Sequence, residues 1–220
     1  MSRVLLGAPI VALVFSAASS LDAQSPARPA IQKTSPQIQA RQQISAFEAA
    51  LENAVRQGAQ MLDKRLQESS AANMVMLSGL ARARGFRLDD YGVLFDVEFP
   101  SMRRSMVWSM QELERANAGR AVRAADDTPA IRPREIYQTE ITAALVNAIL
   151  DYTGSVGVAA TEWLTVAARE SVVDRRFMAG DPNDTAITVI LRIKGSDLLA
   201  LRERQLTRDE ARNRVDVKHY

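Results

Sequence analysis

The chain has 220 residues, of which 47% are hydrophobic and 25% charged, and its net charge is +2. These proportions are typical of a globular domain, and so small a net charge predicts no nucleic-acid binding, which requires basic residues concentrated on one face. Cysteine is absent, and the single histidine, His219, is the penultimate residue. Disulfides and thiolate catalysis are therefore excluded, a Ser–His–Asp triad or multi-histidine metal site is disfavoured, and we expect no cofactor.

The first 23 residues predict export. Arg3 supplies a basic start, Val4 to Phe15 an apolar run, and Ser16 to Ala23 a stretch rich in small residues. This order is typical of a secretory signal peptide, 1–23, and the apolar run is shorter than the about 20 residues that span a bilayer. We therefore predict a periplasmic or secreted protein that has no transmembrane span after signal cleavage.

A tether and a single domain are expected to follow. Residues 24–40 are rich in Pro, Gln, Ser and Ala and show no apolar period, which predicts a flexible tether. Residues 41–220 are then expected to form one α+β domain, since they are long enough to bury one core.

A long amphipathic helix is predicted from Ser35 and Pro36, which suit its cap and first position, to about Ser69. Its apolar residues recur every three or four positions, as one helical face requires. They are Ile44, Phe47, Leu51, Ala54, Val55, Met61, Leu62 and Leu66. Either the helix packs on the protein's own sheet or it forms a coiled coil; Gly58 and Arg65 interrupt the coiled-coil seam, which favours the sheet.

A β-hairpin is predicted next. Apolar and polar residues alternate in Tyr91–Phe99, the clearest strand of the chain, and basic and small residues alternate in Leu80–Phe86. Asp89–Gly92 between them has the composition of a hairpin turn.

Charge predicts the register of this hairpin. A loop with an odd number of residues places Arg82 and Arg84 on the same face as Asp96 and Glu98, whereas a two-residue loop sets the arginines beside apolar residues. Because opposite charges are favoured as cross-strand neighbours, we predict the odd loop, with a bulge at Gly92.

A methionine stripe comes after the hairpin. Met102, Met106, Met110 and Leu113 recur at helical spacing, and we interpret them as a helix whose methionines fill the core rather than a binding groove.

The second half of the chain alternates helices and strands. A helix is predicted from Pro133 to Tyr152, strands at 163–168 and 186–194, a short helix at 195–204, a capped helix from Thr207, and an edge strand at 215–218. The strand 186–194 is almost entirely apolar, which favours a central position. The order predicts an α+β fold with a mainly antiparallel sheet of about five strands and helices packed on one face.

Five acidic residues are candidates for chemistry. Asp96 and Glu98 lie about 6–7 Å apart on one strand face, a spacing that suits the paired carboxylates of a glycosidase, and Glu162 is a third candidate. Arginine neighbours stabilise ionised carboxylates, whereas a general acid must carry a proton. We therefore favour structural ion pairs over catalysis for these residues. Asp181 and Asp184 offer oxygens to calcium but lack the length of an EF-hand loop, so a plain turn is favoured.

Two tryptophans, Trp108 and Trp163, either line a binding surface or fill the core, and the sequence leaves both open. The leading hypothesis is an exported, non-catalytic binding or interaction domain of the bacterial cell envelope, whose partner is another envelope protein or a small ligand. Its expected contact surfaces are the 44–66 helix and the terminal strand. The alternatives are a carboxylate-dependent hydrolase acting on envelope sugars or peptidoglycan, and a protein that self-assembles through the 44–66 helix.

Overall fold

A computed structural model describes residues 35–68, 75–107, 110, 113–114, 132–171 and 186–220. The predicted signal peptide, Trp108, Asp181 and Asp184 lie outside these residues. The helices are α1 (Pro36–Glu68), α2 (Pro133–Tyr152), α3 (Gly195–Arg202) and α4 (Arg208–Asn213), with a 3-10 turn at Thr153–Ser155. The strands are β1 (Val75–Ser78), β2 (Arg82–Leu88), β3 (Gly92–Phe99), β4 (Ser101–Arg104), β5 (Trp163–Glu170), β6 (Thr188–Lys194) and β7 (Asp216–His219).

Five strands form one sheet in the order β2-β3-β5-β6-β7, and β1 and β4 form a separate two-stranded sheet. In the larger sheet only β3 and β5 run parallel; the other three neighbouring pairs are antiparallel. The predicted α+β fold is therefore confirmed, as are the internal position of β6 and the edge position of β7.

The helix α1 packs its apolar stripe into the protein's own core, as predicted. Phe47 lies against Phe95 of β3, with ring centroids 4.7 Å apart, and Leu51 and Leu62 are fully buried. This stripe is therefore not available for assembly with another molecule, which removes the coiled-coil interpretation.

The two residues that argued against a coiled coil lie where α1 crosses α2. A Cβ on Gly58 would lie 3.0 Å from Ile141 Cδ1, so glycine permits the close approach of the helices. Arg65 Nε lies 2.7 Å from Glu140 Oε1, and the Glu140 side chain is almost wholly buried in this ion pair.

The β2 edge of the sheet is closed by two carboxylates of α1. Glu48 Oε1 accepts from the Gly85 N–H at 2.7 Å, and Glu52 Oε1 accepts from the Ala83 N–H at 3.1 Å. One helical turn rises about 6 Å over four residues, close to the span of two strand residues, so carboxylates four apart meet amides two apart. The outward N–H groups of these two residues are therefore satisfied.

The hairpin β2–β3 has the predicted odd loop. Residues 89–91 connect the strands, Arg82 lies opposite Glu98, and Arg84 lies opposite Asp96. The register that charge predicted is thus confirmed.

The irregularity of this hairpin lies at Gly79. Pairing of β2 with β3 starts at Gly92 without an inserted residue, so the bulge predicted there is wrong. Farther on, three residues (79–81) separate the paired segments on one strand and two (99–100) on the other. The extra residue makes a bulge in which Gly79 has a φ of 110°, and the hairpin continues beyond it as the β1–β4 pair.

The methionine stripe is helical only in part, and its helical part does not fill the core. Met106, Met110 and Leu113 have a helical backbone, as their spacing predicts, but their side chains are 79%, 66% and 62% exposed. Met102 is buried but belongs to strand β4, because the chain stays extended through residue 104 and pairs with β1.

A buried carboxylate joins four segments at one end of the core. Glu170 Oε1 accepts from the Met102 N–H at 2.8 Å, and Oε2 accepts from the Ile187 N–H at 3.2 Å and from Arg134 Nη2 at 3.3 Å. The end of β5, the start of β4, the segment before β6 and the start of α2 therefore meet on one side chain.

Tyr137 lies beside this joint, and its hydroxyl donates to the Pro100 carbonyl at 2.8 Å. Burial raises the pKa of the Tyr137 phenol, and the nearby Glu170 carboxylate raises it further. Since the folded pKa is above the unfolded value of about 10, the neutral phenol stabilises the fold fully below about pH 10, and this contribution is lost as the pH rises through the folded pKa.

We expect Tyr137→Phe to lower the free energy of unfolding at pH 7 by about 1–3 kcal/mol, because the buried carbonyl loses its donor. The variant should also lose stability less steeply than the wild type above about pH 10, since it has no phenol to ionise at this position. Urea unfolding at neutral and alkaline pH measures both effects. Tyr152→Phe, at an exposed tyrosine of the same helix, is the control; equal alkaline slopes in all three proteins would contradict the expectation.

Candidate functional site

The two faces of the five-stranded sheet differ in what covers them. Side chains such as Val97, Val166 and Leu191 point into the core formed with α1 and α2. The opposite face, termed here the open face, carries partly or fully exposed side chains, except Thr165. Its residues are Arg82, Arg84, Phe86, Leu88, Leu94, Asp96, Glu98, Trp163, Thr165, Ala167, Arg169, Thr188, Ile190, Arg192, Lys194, Asp216, Lys218 and Tyr220.

The open face is basic. It carries six arginine and lysine side chains and three acidic ones, an excess of three positive charges. The whole chain has a net charge of only +2, so the open face carries more positive charge than the rest of the molecule.

Two of the candidate catalytic carboxylates meet on this face. Arg169 Nη2 lies 2.9 Å from Glu98 Oε1 and 3.4 Å from Asp96 Oδ2, so one guanidinium bridges both. Arg82 and Arg84 of β2 lie directly across from the same two residues. The pair thus has the ionic environment that the sequence predicted, which holds both carboxylates as acceptors.

The third candidate, Glu162, is held elsewhere. Both of its carboxylate oxygens lie 2.9 Å from Arg87 Nη2, and Oε2 also accepts from the Ala159 N–H at 2.8 Å. Ala167, the neighbour of Asp96, is five residues farther along β5, on the order of 15 Å. Paired catalytic carboxylates lie about 5–10 Å apart, so Glu162 does not complete a site with Asp96.

Trp163 lies at the opposite end of the open face, where cations stack on it. The Arg192 guanidinium carbon is 4.6 Å from the ring centroid and Lys194 Nζ is 5.4 Å from it. Arg192 Nε is enclosed and has no hydrogen-bond partner. We call Trp163, Arg192 and Lys194, with Phe86 and Leu94 in the adjoining rows, the Trp163 corner.

Neighbouring strands fix the position of this corner. Trp163 begins β5, where its N–H donates to the Tyr91 carbonyl at 2.8 Å. The Tyr91 hydroxyl lies 2.7 Å from Thr165 Oγ1, and this hydrogen bond joins the hairpin loop to β5 beside the indole. The ring therefore stands on a backbone that is anchored on both sides.

Two grooves border the sheet. One, of about 410 Å³, lies beside Trp163 and Lys194 and is also lined by Asp197, Arg214 and Asp216. The other, of about 520 Å³, runs between the flank of α2 and strand β7; its lining includes Thr142, Arg212, Val217 and His219. Neither groove is lined by Asp96, Glu98 or Glu162.

Neither a cluster of metal ligands nor a membrane-spanning helix occurs in the part of the chain that the structure describes. That part contains no group of three or more His, Asp or Glu side chains placed to hold a metal ion. None of its helices combines the length and the apolar character needed to cross a membrane.

Sequence reasoning noted Trp163 but missed its cationic neighbours. Arg192 and Lys194 end a strand that is otherwise apolar, and its apolar residues predicted a central strand rather than a binding site. The available signal was their spacing of two, which places both on one strand face.

No family model matches the chain, and neither a curated protein nor a solved structure matches it.

Proposed function

We propose that the chain is an exported, non-catalytic interaction domain of the bacterial cell envelope, which binds an acidic surface of another envelope protein through the Trp163 corner. The observation that carries this proposal is the stacking of two cations on a partly exposed tryptophan, on a sheet face that none of the described helices covers. Export is supported by the first 23 residues, which have the order of a signal peptide.

The composition of the corner suits a binding hot spot. Tryptophan and arginine are enriched among the few interface residues that carry most of the binding energy. Arg192 is already partly desolvated and stacked on Trp163, so less side-chain entropy is lost when a partner orders it. The exposed Phe86 and the half-buried Leu94 supply apolar area beside it.

Charge defines the partner. The basic excess of the open face attracts an acidic surface and raises the rate of encounter with it. At the other end of the face, Arg169 is engaged by Asp96 and Glu98, whereas Arg192 and Lys194 stack on Trp163, where a partner can contact cations and indole together.

Hydrolysis finds less support in the geometry. Asp96 and Glu98 share one arginine on a sheet surface and line neither groove. A glycosidase needs two carboxyl groups that flank the scissile bond of a bound sugar, whereas here both carboxylates bind the same guanidinium.

The test compares capture of partners from crosslinked native envelope by two variants of equal charge. Arg192→Gln with Lys194→Gln removes two cations from the corner, whereas Arg56→Gln with Lys64→Gln removes two exposed cations from α1. We expect the corner variant to recover at least about tenfold less of a stoichiometric acidic partner, and the α1 variant to recover as much as the wild type. Equal recovery by both variants would refute the corner as the binding site.

A direct measurement follows once the partner is identified. Trp108→Phe leaves Trp163 as the single tryptophan, so its fluorescence reports on the corner alone. We expect the emission to change on titration with the partner and the affinity to fall with added salt, since the contact is ionic. A spectrum that is unchanged at saturation would count against the proposal.

A further inference from the structure

The two edges of the sheet are treated differently. The β2 edge is closed by Glu48 and Glu52 of α1, which accept from its outward N–H groups. Strand β7, at the other edge, pairs only with β6 in the described part of the chain, and all four of its residues are exposed. An unprotected edge strand is a template for pairing with another strand.

Hydrogen bonding fixes which groups of β7 face outwards. Thr188 and Tyr220 exchange both backbone hydrogen bonds, at 3.3 and 2.9 Å. In an antiparallel ladder such pairs alternate with pairs that make none, so Lys218 and Asp216 also bond to β6. The N–H and C=O groups of Val217 and His219 therefore point away from the sheet.

We propose that β7 pairs with β7 of a second copy of this chain, antiparallel, about a two-fold axis at Val217. In this register Asp216 lies opposite Lys218 of the second copy, and Lys218 lies opposite its Asp216. Lys218 Nζ lies 3.9 Å from Asp216 Oδ2 within one strand, and in the dimer each of these groups also faces an opposite charge of the second copy on the open face. The outward groups of Val217 bond to the same groups of the second copy, as a symmetric interface requires.

Neighbouring registers do not have this complementarity. A shift that keeps the same backbone groups facing each other places Lys218 against Lys218, or Asp216 against Asp216. Like charges directly opposite destabilise a strand pair. The spacing Asp-x-Lys around one outward-facing valine therefore favours this register over the two adjacent ones.

The groove between β7 and α2 adds side-chain contacts to the proposed dimer interface. Its floor includes Val217 and His219, and its wall is the flank of α2, where Thr142 Oγ1 is enclosed and has no hydrogen-bond partner. In the dimer the two α2 flanks face each other across the joined strands. The interface then buries side chains as well as backbone, which a pair of four-residue strands needs for stability.

The test is sedimentation equilibrium of the purified protein with charge exchange. Asp216→Lys and Lys218→Asp each set like charges opposite each other twice, and each should weaken dimerisation roughly tenfold or more. The double exchange, and an equimolar mixture of the two single variants, restore opposite pairs and should recover the dimer. Lys64→Asp, which reverses an exposed charge on α1, is the control for charge, and this variant should dimerise like the wild type.

A backbone variant tests the strand pairing itself. Val217→Pro removes an N–H that points away from β6, so the monomer should keep its circular dichroism and melting temperature while the dimer is lost. A wild type that stays monomeric over two decades of concentration would overturn the proposal. Single variants that dimerise like the wild type, or an exchange that fails to restore the dimer, would also overturn it. Asp216 lies opposite Arg192 of the Trp163 corner, so Lys218→Asp and Val217→Pro, which lie opposite Ile190 and Leu191, are the variants that separate this proposal from the proposed function.

Discussion

Replacing Glu170 by glutamine is expected to lower the free energy of unfolding by about 2–4 kcal/mol. The carboxylate accepts from two backbone N–H groups and from Arg134 in a buried position. A glutamine has one acceptor oxygen, and its NH2 group turns towards at least one of these donors. Whichever way the amide is oriented, a buried donor loses its partner, and breaking a buried ion pair from one side is costly.

Urea unfolding of the Glu170→Gln protein measures this loss. Glu98→Gln is the matched control, because Glu98 is a partly exposed carboxylate that also pairs with one arginine. An exposed ion pair contributes about 0–1 kcal/mol, so the control should unfold close to the wild type. Similar losses in the two variants would mean that the joint at Glu170 does not hold the four segments together.

The second large effect is expected for Gly92→Ala, which should lower the free energy of unfolding by about 3 kcal/mol or more. Gly92 has a φ of 126°, a conformation that residues with a Cβ rarely adopt. A Cβ here would lie 2.2 Å from the Trp163 carbonyl oxygen, which is backbone of the neighbouring strand β5. The substitution therefore strains β3 and pushes apart the parallel pair that positions Trp163.

Thermal and urea unfolding of Gly92→Ala give the loss of stability, and the tryptophan fluorescence of the Trp108→Phe background reports on Trp163. Gly154→Ala is the control, since no atom lies within 4 Å of its Cβ position and its φ is not positive. That variant should be neutral or more stable by about 0.4–1 kcal/mol, because alanine restricts the unfolded chain. A Gly92→Ala protein as stable as the control would contradict the close packing of β3 on β5.

Local chemistry made several elements predictable. Thr207 and Glu210 form the expected capping box, in which the Thr207 N–H donates to Glu210 Oε2 at 2.8 Å and Thr207 Oγ1 accepts from the Glu210 N–H. Both groups belong to one helical turn, so no distant residue alters the outcome. The hairpin register is of the same kind, because its strands are joined by only three residues.

Interactions with distant segments override the local spacing at other positions. Glu52 lies four residues before Arg56, a spacing that suits a pair along the helix, but it bonds to the Ala83 N–H of β2 instead. Met102 shares the helical spacing of the methionine stripe, yet β1 holds it in a strand. In each case a backbone group far along the chain offers the stronger interaction, and no periodicity records where it lies.

The same division applies to the candidate site. Asp96 and Glu98 were predicted together with their arginine neighbours on β2, but Arg169, which bridges them, comes from a strand more than seventy residues away. Trp163, Arg192 and Lys194 form one corner only because β5 and β6 pair in a register that sets Trp163 opposite Lys194.

By itself the sequence determined most of the helical and extended segments, though not the β1–β4 pair, together with the face that α1 buries, the register of the hairpin and the edge position of the last strand. These follow from periodicity, capping and charge, which act over a few residues. Only the tertiary structure decided that β3 and β5 pair in parallel, that Glu48 and Glu52 close one edge, that Glu170 joins four segments, and which sheet face the described helices leave uncovered. Each of these depends on backbone and side-chain groups that meet only after strands distant in sequence have paired.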